Sequence, residues 1–225
     1  MTHAARTRIK ICGLTREQDV DAAVLAGADA VGFVLYPPSP RAVSAERARQ
    51  LAERLPPFVT PVLLFVNEPA AVVQAALRGV PGGMAQFHGD ESPAHCWEAS
   101  GQGAHRYMRA ARIPLDATAA DFDLVKYASD YSRAQAILLD AHVDGYGGSG
   151  KAFNWSLLPT AVDAHLVLSG GLAPANVGDG IRRLRTAAKS LAVDVSSGVE
   201  ASKGIKDAVK IREFVAAVRA ADAEA

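Results

Sequence analysis

Residues 8–27 read RIKICGLTREQDVDAAVLAG, a short β-branched run joined to a helix-like segment by the turn CGLTRE. A doubly wound dinucleotide fold would usually carry G-x-G-x-x-G in that turn, and those glycines are missing here. The unit is therefore read as the first βα repeat of another parallel-sheet architecture. Its helix is expected to be capped by Thr15 and closed by Gly27.

Seven further runs of strand character follow: AVGFVL from Ala30, PVLLFV from Pro61, MAQFH from Met84, RYMRA from Arg106, AILLD from Ala136, HLVLS from His165 and LAVDV from Leu191. Helix-like stretches separate them, clearly in SAERARQLAERL, PAAVVQAALRG and KDAVKIREFVAAVRAA, and more weakly for the fourth to sixth helices. Eight units in 225 residues give about 28 residues each, which suits a small closed barrel. The fold expected is α/β, a single (β/α)8 TIM barrel spanning residues 1–225 as one catalytic domain, with no linker dividing it.

Composition narrows the function. Lys plus Arg number 24, as do Asp plus Glu, and hydrophobic residues make up 49%. That balance argues against a disordered chain and against a nucleic-acid binder. The apolar runs are too short to span a bilayer and the N-terminus has no leader pattern, so the expected location is the cytoplasm, with no membrane partner. Two cysteines, Cys12 and Cys96, are too few for a disulfide scaffold.

Residues 145–152, GYGGSGKA, nearly fit the phosphate-wrapping loop G-x-x-x-x-G-K-[ST]. Ala152 lacks the hydroxyl that such a loop offers to magnesium, and Pro159 follows too soon for a long helix. The stretch is read instead as the sixth barrel loop, a glycine-rich lid over the substrate, with Lys151 positioned to touch phosphate or carboxylate.

Barrel enzymes carry their chemistry where the strands end. There the sequence places Cys12, YPPSPR with Arg41, Asn67, His88, Asp140, SGG from Ser169 and SSG from Ser196. Runs seven and eight both close in Ser and Gly, so a phosphate is expected between them on backbone N–H groups, with Gly171, Ser197 and Gly198 as binding residues. Taken singly, each residue has a plainer explanation: Cys12 as a small buried hydrophobe, Asp140 as a cap, Arg41 as a surface charge, His88 as a structural histidine. Asp194, beside the phosphate turn, fits a structural hydrogen-bonder as well as an acid.

The ordered blocks KICGLT, GADAVGFVLYPPSPR, LLFVN, QFHGDE, LLDAHVDGYGGSGKAFNW, LVLSGGLAPANV and DVSSGVE together resemble the phosphoribosylanthranilate isomerase family of tryptophan biosynthesis. The resemblance implies an Amadori rearrangement of N-(5-phosphoribosyl)anthranilate, with Cys12 as base, Asp140 as acid and Arg41 on the anthranilate carboxylate. It implies no cofactor and no metal, and as partner a small phosphorylated aminoaldose. The oligomer is expected to be a monomer or a homodimer. Asn154 and Phe87 depart from the usual Asp and Leu, and the stretch around run five is only weakly family-like.

The chemistry sets two demands on these residues. Asp140 must carry a proton, which partial burial at the rim is expected to favour. Cys12 must ionise, and with Lys10 read on the opposite strand face, the phosphate-site dipoles or another cation are expected to stabilise its thiolate. Three rivals stand beside this reading. The histidine-pathway aminoaldose isomerase is disfavoured by Cys12 and by the acidic pair Asp90 and Glu91. The others are a metal site from Cys12, His88, Asp140 and His142, and a non-catalytic sugar-phosphate binder.

Overall fold

The structure is a computed structural model and describes residues 6–114, 122–142 and 161–224. Eight strands, β1 (Arg8–Cys12), β2 (Ala30–Val34), β3 (Thr60–Phe65), β4 (Met84–Phe87), β5 (Tyr107–Pro114), β6 (Ala136–His142), β7 (Val162–Leu168) and β8 (Ala188–Val195), pair in chain order and close into a barrel. Every neighbouring pair is parallel, including β8 with β1. Among the described residues, helices α1 (Glu17–Ala26), α2 (Ala45–Ala52), α3 (Ala70–Gly79), α4 (Pro93–Ala99) and α5 (Leu124–Asp130) follow β1 to β5, and α6 (Val177–Leu184) and α7 (Ala208–Ala223) follow β7 and β8. The glycine-rich stretch 145–152 and Lys151 lie outside the described residues.

Strand alternation divides the side chains into two sets. Ile9, Ile11, Phe33 and Phe65 face the helices and join the main core with Val20, Leu51, Leu77 and Phe214. The opposite phase fills the barrel: Val62, Met108, Ala110, Leu138 and Val167 form one interior cluster, and Cys12, Val34, Leu64 and Val66 another. Loss of a large side chain such as Leu138 from the interior would cost about 2–5 kcal/mol.

Capping follows sequence for several helices. Ser44, Ser92, Asp123 and Asp207 each accept a backbone N–H at the start of α2, α4, α5 and α7. The expected Thr15 cap of α1 is not formed. Arg16 occupies that position without a side-chain cap, and the Thr15 hydroxyl donates to Gly204 O at 2.9 Å, tying the β1 loop to a distant turn. Glu17 and Asp19 in the first turn complement the helix N-terminus instead.

β5 runs well beyond the expected RYMRA, because its register with β6 continues from Met108 opposite Ala136 to Pro114 opposite His142. A further antiparallel hairpin, β9 (Glu200–Ser202) with β10 (Ile205–Lys206), follows β8. Its arms are too short to leave a periodic signal, yet it carries two charges that shape the site.

Candidate active site

The C-terminal ends of the strands surround a pocket. Cys12, Arg41, Asp140 and Ser197 all line it, together with His88 and Asp194. Residues separated by as many as 185 positions in sequence therefore meet at one mouth, as the barrel arrangement requires. Gly171 and Gly198 lie in the β7 and β8 turns, where their neighbours Gly170, Leu172 and Ser197 border the pocket.

Cys12 ends β1 and is nearly buried, at 5% exposure. Residues two apart on a strand share a face, so Lys10 lies on the same inward face as Cys12, and the opposite-face expectation was an error of parity. Lys10 Nζ sits 2.8 Å from Asp194 Oδ1 and within hydrogen-bonding reach of the Cys12 thiol. Burial pushes the Cys12 thiol above its ordinary value, and Lys10 opposes that push. For Lys10, burial works against the charge, but Asp194 and Cys12 outweigh it and hold the ammonium protonated. The cation sought for the thiolate is thus two residues away. Gly32 on β2 makes room for it, since a Cβ there would stand 2.6 Å from Cys12 Sγ and 3.1 Å from Lys10 Nζ.

Asp140, on β6, is met from β4 by His88, whose Nε2 is 3.0 Å from Asp140 Oδ2. His88 Nδ1 in turn lies 3.0 Å from Gln86 Nε2. His88 is therefore a partner of the carboxyl group, and Gln86, fully buried, is a site residue that sequence reasoning missed. The i, i+2 spacing of Gln86 and His88 on one strand was the available signal.

Arg41 is only 8% exposed and far from a solvated surface charge. Its Nε and Nη2 form a fork with Glu200 at 2.7 and 2.8 Å. Among the described residues Nη1 has no hydrogen-bond partner, which leaves its donors for a ligand. Val34, Leu64, Val66 and Tyr36 supply an apolar wall in the same pocket. Burial alone would raise the Glu200 carboxyl, but Arg41 and Lys206 overcome it and hold the group below its usual value. Lys206 Nζ also donates to Ser196 O and Oγ, so the hairpin braces the β8 turn.

In the two glycine turns, Gly170 and Gly171 have left-handed backbone, φ 80 and 65. Gly198 has a packing reason of its own: a Cβ there would lie 1.9 Å from Leu172 O, so the two turns pack backbone to backbone. α6 begins at Val177, and Asn176 binds Ala173 N and Gly171 O to fix the turn before it.

The acidic pair after β4 also has a local role. Glu91 is buried and accepts Asn67 N and Gly89 N while pairing with Arg109 at 3.3 Å, so it holds the loop below His88 in shape and does not present a charge to a second phosphate. Among the described residues no three His, Cys, Asp or Glu side chains converge as metal ligands do, and no helix is long and apolar enough to cross a membrane.

The profile of the family described as N-(5'phosphoribosyl)anthranilate (PRA) isomerase matches residues 9–217. The chain is 61% identical over 219 residues to the N-(5'-phosphoribosyl)anthranilate isomerase of Leptothrix cholodnii, covering 97% of this chain and 94% of that one. The crystal structure of phosphoribosyl anthranilate isomerase from Thermotoga maritima superposes with a TM-score of 0.81 at 39% identity, covering 95% and 99% of the two chains. A phosphoribosyl anthranilate isomerase in complex with reduced 1-(o-carboxyphenylamino)-1-deoxyribulose 5-phosphate gives 0.75 at 34%, with coverage of 95% and 99%. The chain belongs to the N-(5'-phosphoribosyl)anthranilate isomerase family.

Proposed function

We propose that the chain isomerises N-(5-phosphoribosyl)anthranilate to 1-(2-carboxyphenylamino)-1-deoxyribulose 5-phosphate by general acid/base catalysis, with Asp140 as acid and Cys12 as base. The observation that supports this division of labour is the placing of a carboxyl group and a thiol in one pocket on different strands, with a lysine beside the thiol. Asp140 gives its proton to the furanose ring oxygen as the C1–O bond breaks, and the anilino nitrogen lone pair forms the C1=N bond. The Cys12 thiolate then takes the C2 proton, and the C2–H electrons move to form the enolamine, which becomes the ketone. The nitrogen of the substrate supplies the electron push, so the step calls on no cofactor.

Arg41 offers Nη1 to the anthranilate carboxylate, with the ring against Val34, Leu64 and Val66. The phosphate lies between the β7 and β8 turns, at Gly171, Ser197 and Gly198, on backbone N–H groups. The chain acts as one barrel domain over residues 1–225, in the cytoplasm. Its oligomeric state is that of a monomer or a homodimer. Incubation of the pure protein with phosphoribosylanthranilate, with and without a chelator, tests the reaction; absence of conversion would overturn it, and conversion lost in chelator would overturn the cofactor-free step.

A further inference from the structure

The β4 strand brings two buried polar side chains to the inward face beneath the pocket, Gln86 at 0% and His88 at 6% exposure. Gln86 Nε2 faces His88 Nδ1 at 3.0 Å, and His88 Nε2 faces Asp140 Oδ2 at 3.0 Å. A primary amide nitrogen has only protons to offer, so Nδ1 must be the acceptor and the ring proton must sit on Nε2, which donates to Asp140. Among the described residues Gln86 Oε1 is buried with no hydrogen-bond partner. The contact of Nε2 with Nδ1 is the hydrogen bond that holds this amide.

We propose that Gln86 is a positioning residue that keeps His88 neutral and protonated on Nε2, so that His88 grips Oδ2 of Asp140 and Oδ1 carries the catalytic proton. The inference rests on Asp140 as the general acid. An imidazolium at this place would hold Asp140 as a carboxylate and remove the acid; the amide N–H groups against Nδ1 disfavour that form. The charged and ionisable groups around the imidazole are Asp140 from β6 and, across the same pocket, Cys12 from β1, Arg41 from the loop after β2 and Asp194 from β8. When Oδ1 releases its proton to the ring oxygen, Asp140 is left as a carboxylate still held at Oδ2. The Nε2–H bond then becomes charge-assisted, so it strengthens as the transition state is approached.

Gln86→Glu reverses the polarity of this contact, since a carboxylate accepts from Nδ1–H and cannot donate. Gln86→Met keeps the length and removes both functions. Nitrogen-15 spectra of imidazole-labelled enzyme report the tautomer directly, and the wild-type spectrum alone is informative if a variant does not fold. The expected wild-type signature is a neutral His88 with its proton on Nε2. Gln86→Glu should convert His88 to the imidazolium and lower kcat roughly 10²-fold, with KM nearly unchanged. Gln86→Met should lose less and keep a neutral ring. A wild-type ring protonated on Nδ1, or a Gln86→Glu variant with lowered kcat and an unaltered imidazole spectrum, would overturn the role of Gln86. Near wild-type kcat in Asp140→Asn would overturn the acid itself, and is distinguishable because it does not depend on the ring tautomer.

Discussion

Lys10 Nζ and Asp194 Oδ1 are 2.8 Å apart in the buried wall of the barrel, and the same ammonium reaches the Cys12 thiol. The thiolate and the carboxylate therefore compete for one cation. Burial raises the Cys12 thiol, Lys10 lowers it and Asp194 raises it. A base must be deprotonated, so kcat/KM should rise with pH through a thiol titration displaced above its ordinary value. Asp194→Asn should move that rising limb to lower pH, and Lys10→Met should move it higher. Thiolate absorbance followed alongside kcat/KM checks both shifts; a limb unmoved by either variant would remove the thiol from it.

Cys12→Ser and Asp140→Asn should each lower kcat by roughly 10²-fold to 10⁴-fold while substrate affinity survives, because the base and the acid act on different atoms. Single-turnover rates with a separate binding measurement make the comparison. Near wild-type kcat in Cys12→Ala would shift the base to Asp194, since His88 is engaged with Asp140.

Arg41 has a double load, which separates its two substitutions. Arg41→Ala should raise KM and also destabilise the fold, because Glu200 loses its two-pronged partner. Breaking a buried ion pair costs roughly 3–5 kcal/mol, and the low end applies here since Lys206 still holds Glu200 at 2.9 Å. Arg41→Lys should keep most of the stability and still raise KM, because the planar fork is lost. Thermal unfolding and KM measured on both variants decide it; an unchanged KM in Arg41→Ala would take the residue out of the binding site.

The barrel was legible because its signal is repeated: eight β-branched runs at near-even spacing permit few architectures. Cys12, Asp140 and Arg41 were found from blocks of resemblance, and their neighbours on the strand ends were found from position. Gln86 was not, and Lys10 was put on the wrong face, although both sit two residues before a chosen side chain and so share its face. Glu200 and Lys206 were hidden for another reason. They act through a short hairpin beyond the last barrel strand, and only the closed fold brings them against Arg41. The tight contact of Gly198 with Leu172 O is likewise a tertiary fact with no local pattern.

Gly32 offers the sharpest test of how the thiol is housed. It lies in β2 opposite Cys12 in the barrel register, in the middle of a strand where glycine is normally unfavourable. A methyl group there would meet Cys12 Sγ at 2.6 Å, Cys12 Cα at 3.1 Å and Lys10 Nζ at 3.1 Å. The Cα belongs to the paired backbone and cannot swing aside, so the sulfur and the ammonium must move. Gly32→Ala should therefore cost about 1–3 kcal/mol through overpacking. It should also lower kcat, because the Lys10 contact with the thiol is disturbed, and slow alkylation of Cys12 at a fixed pH. Gly79→Ala is the control, since a Cβ at that helical position meets nothing within 4 Å. If Gly32→Ala retains wild-type kcat and wild-type thiol reactivity, the ammonium does not tune Cys12.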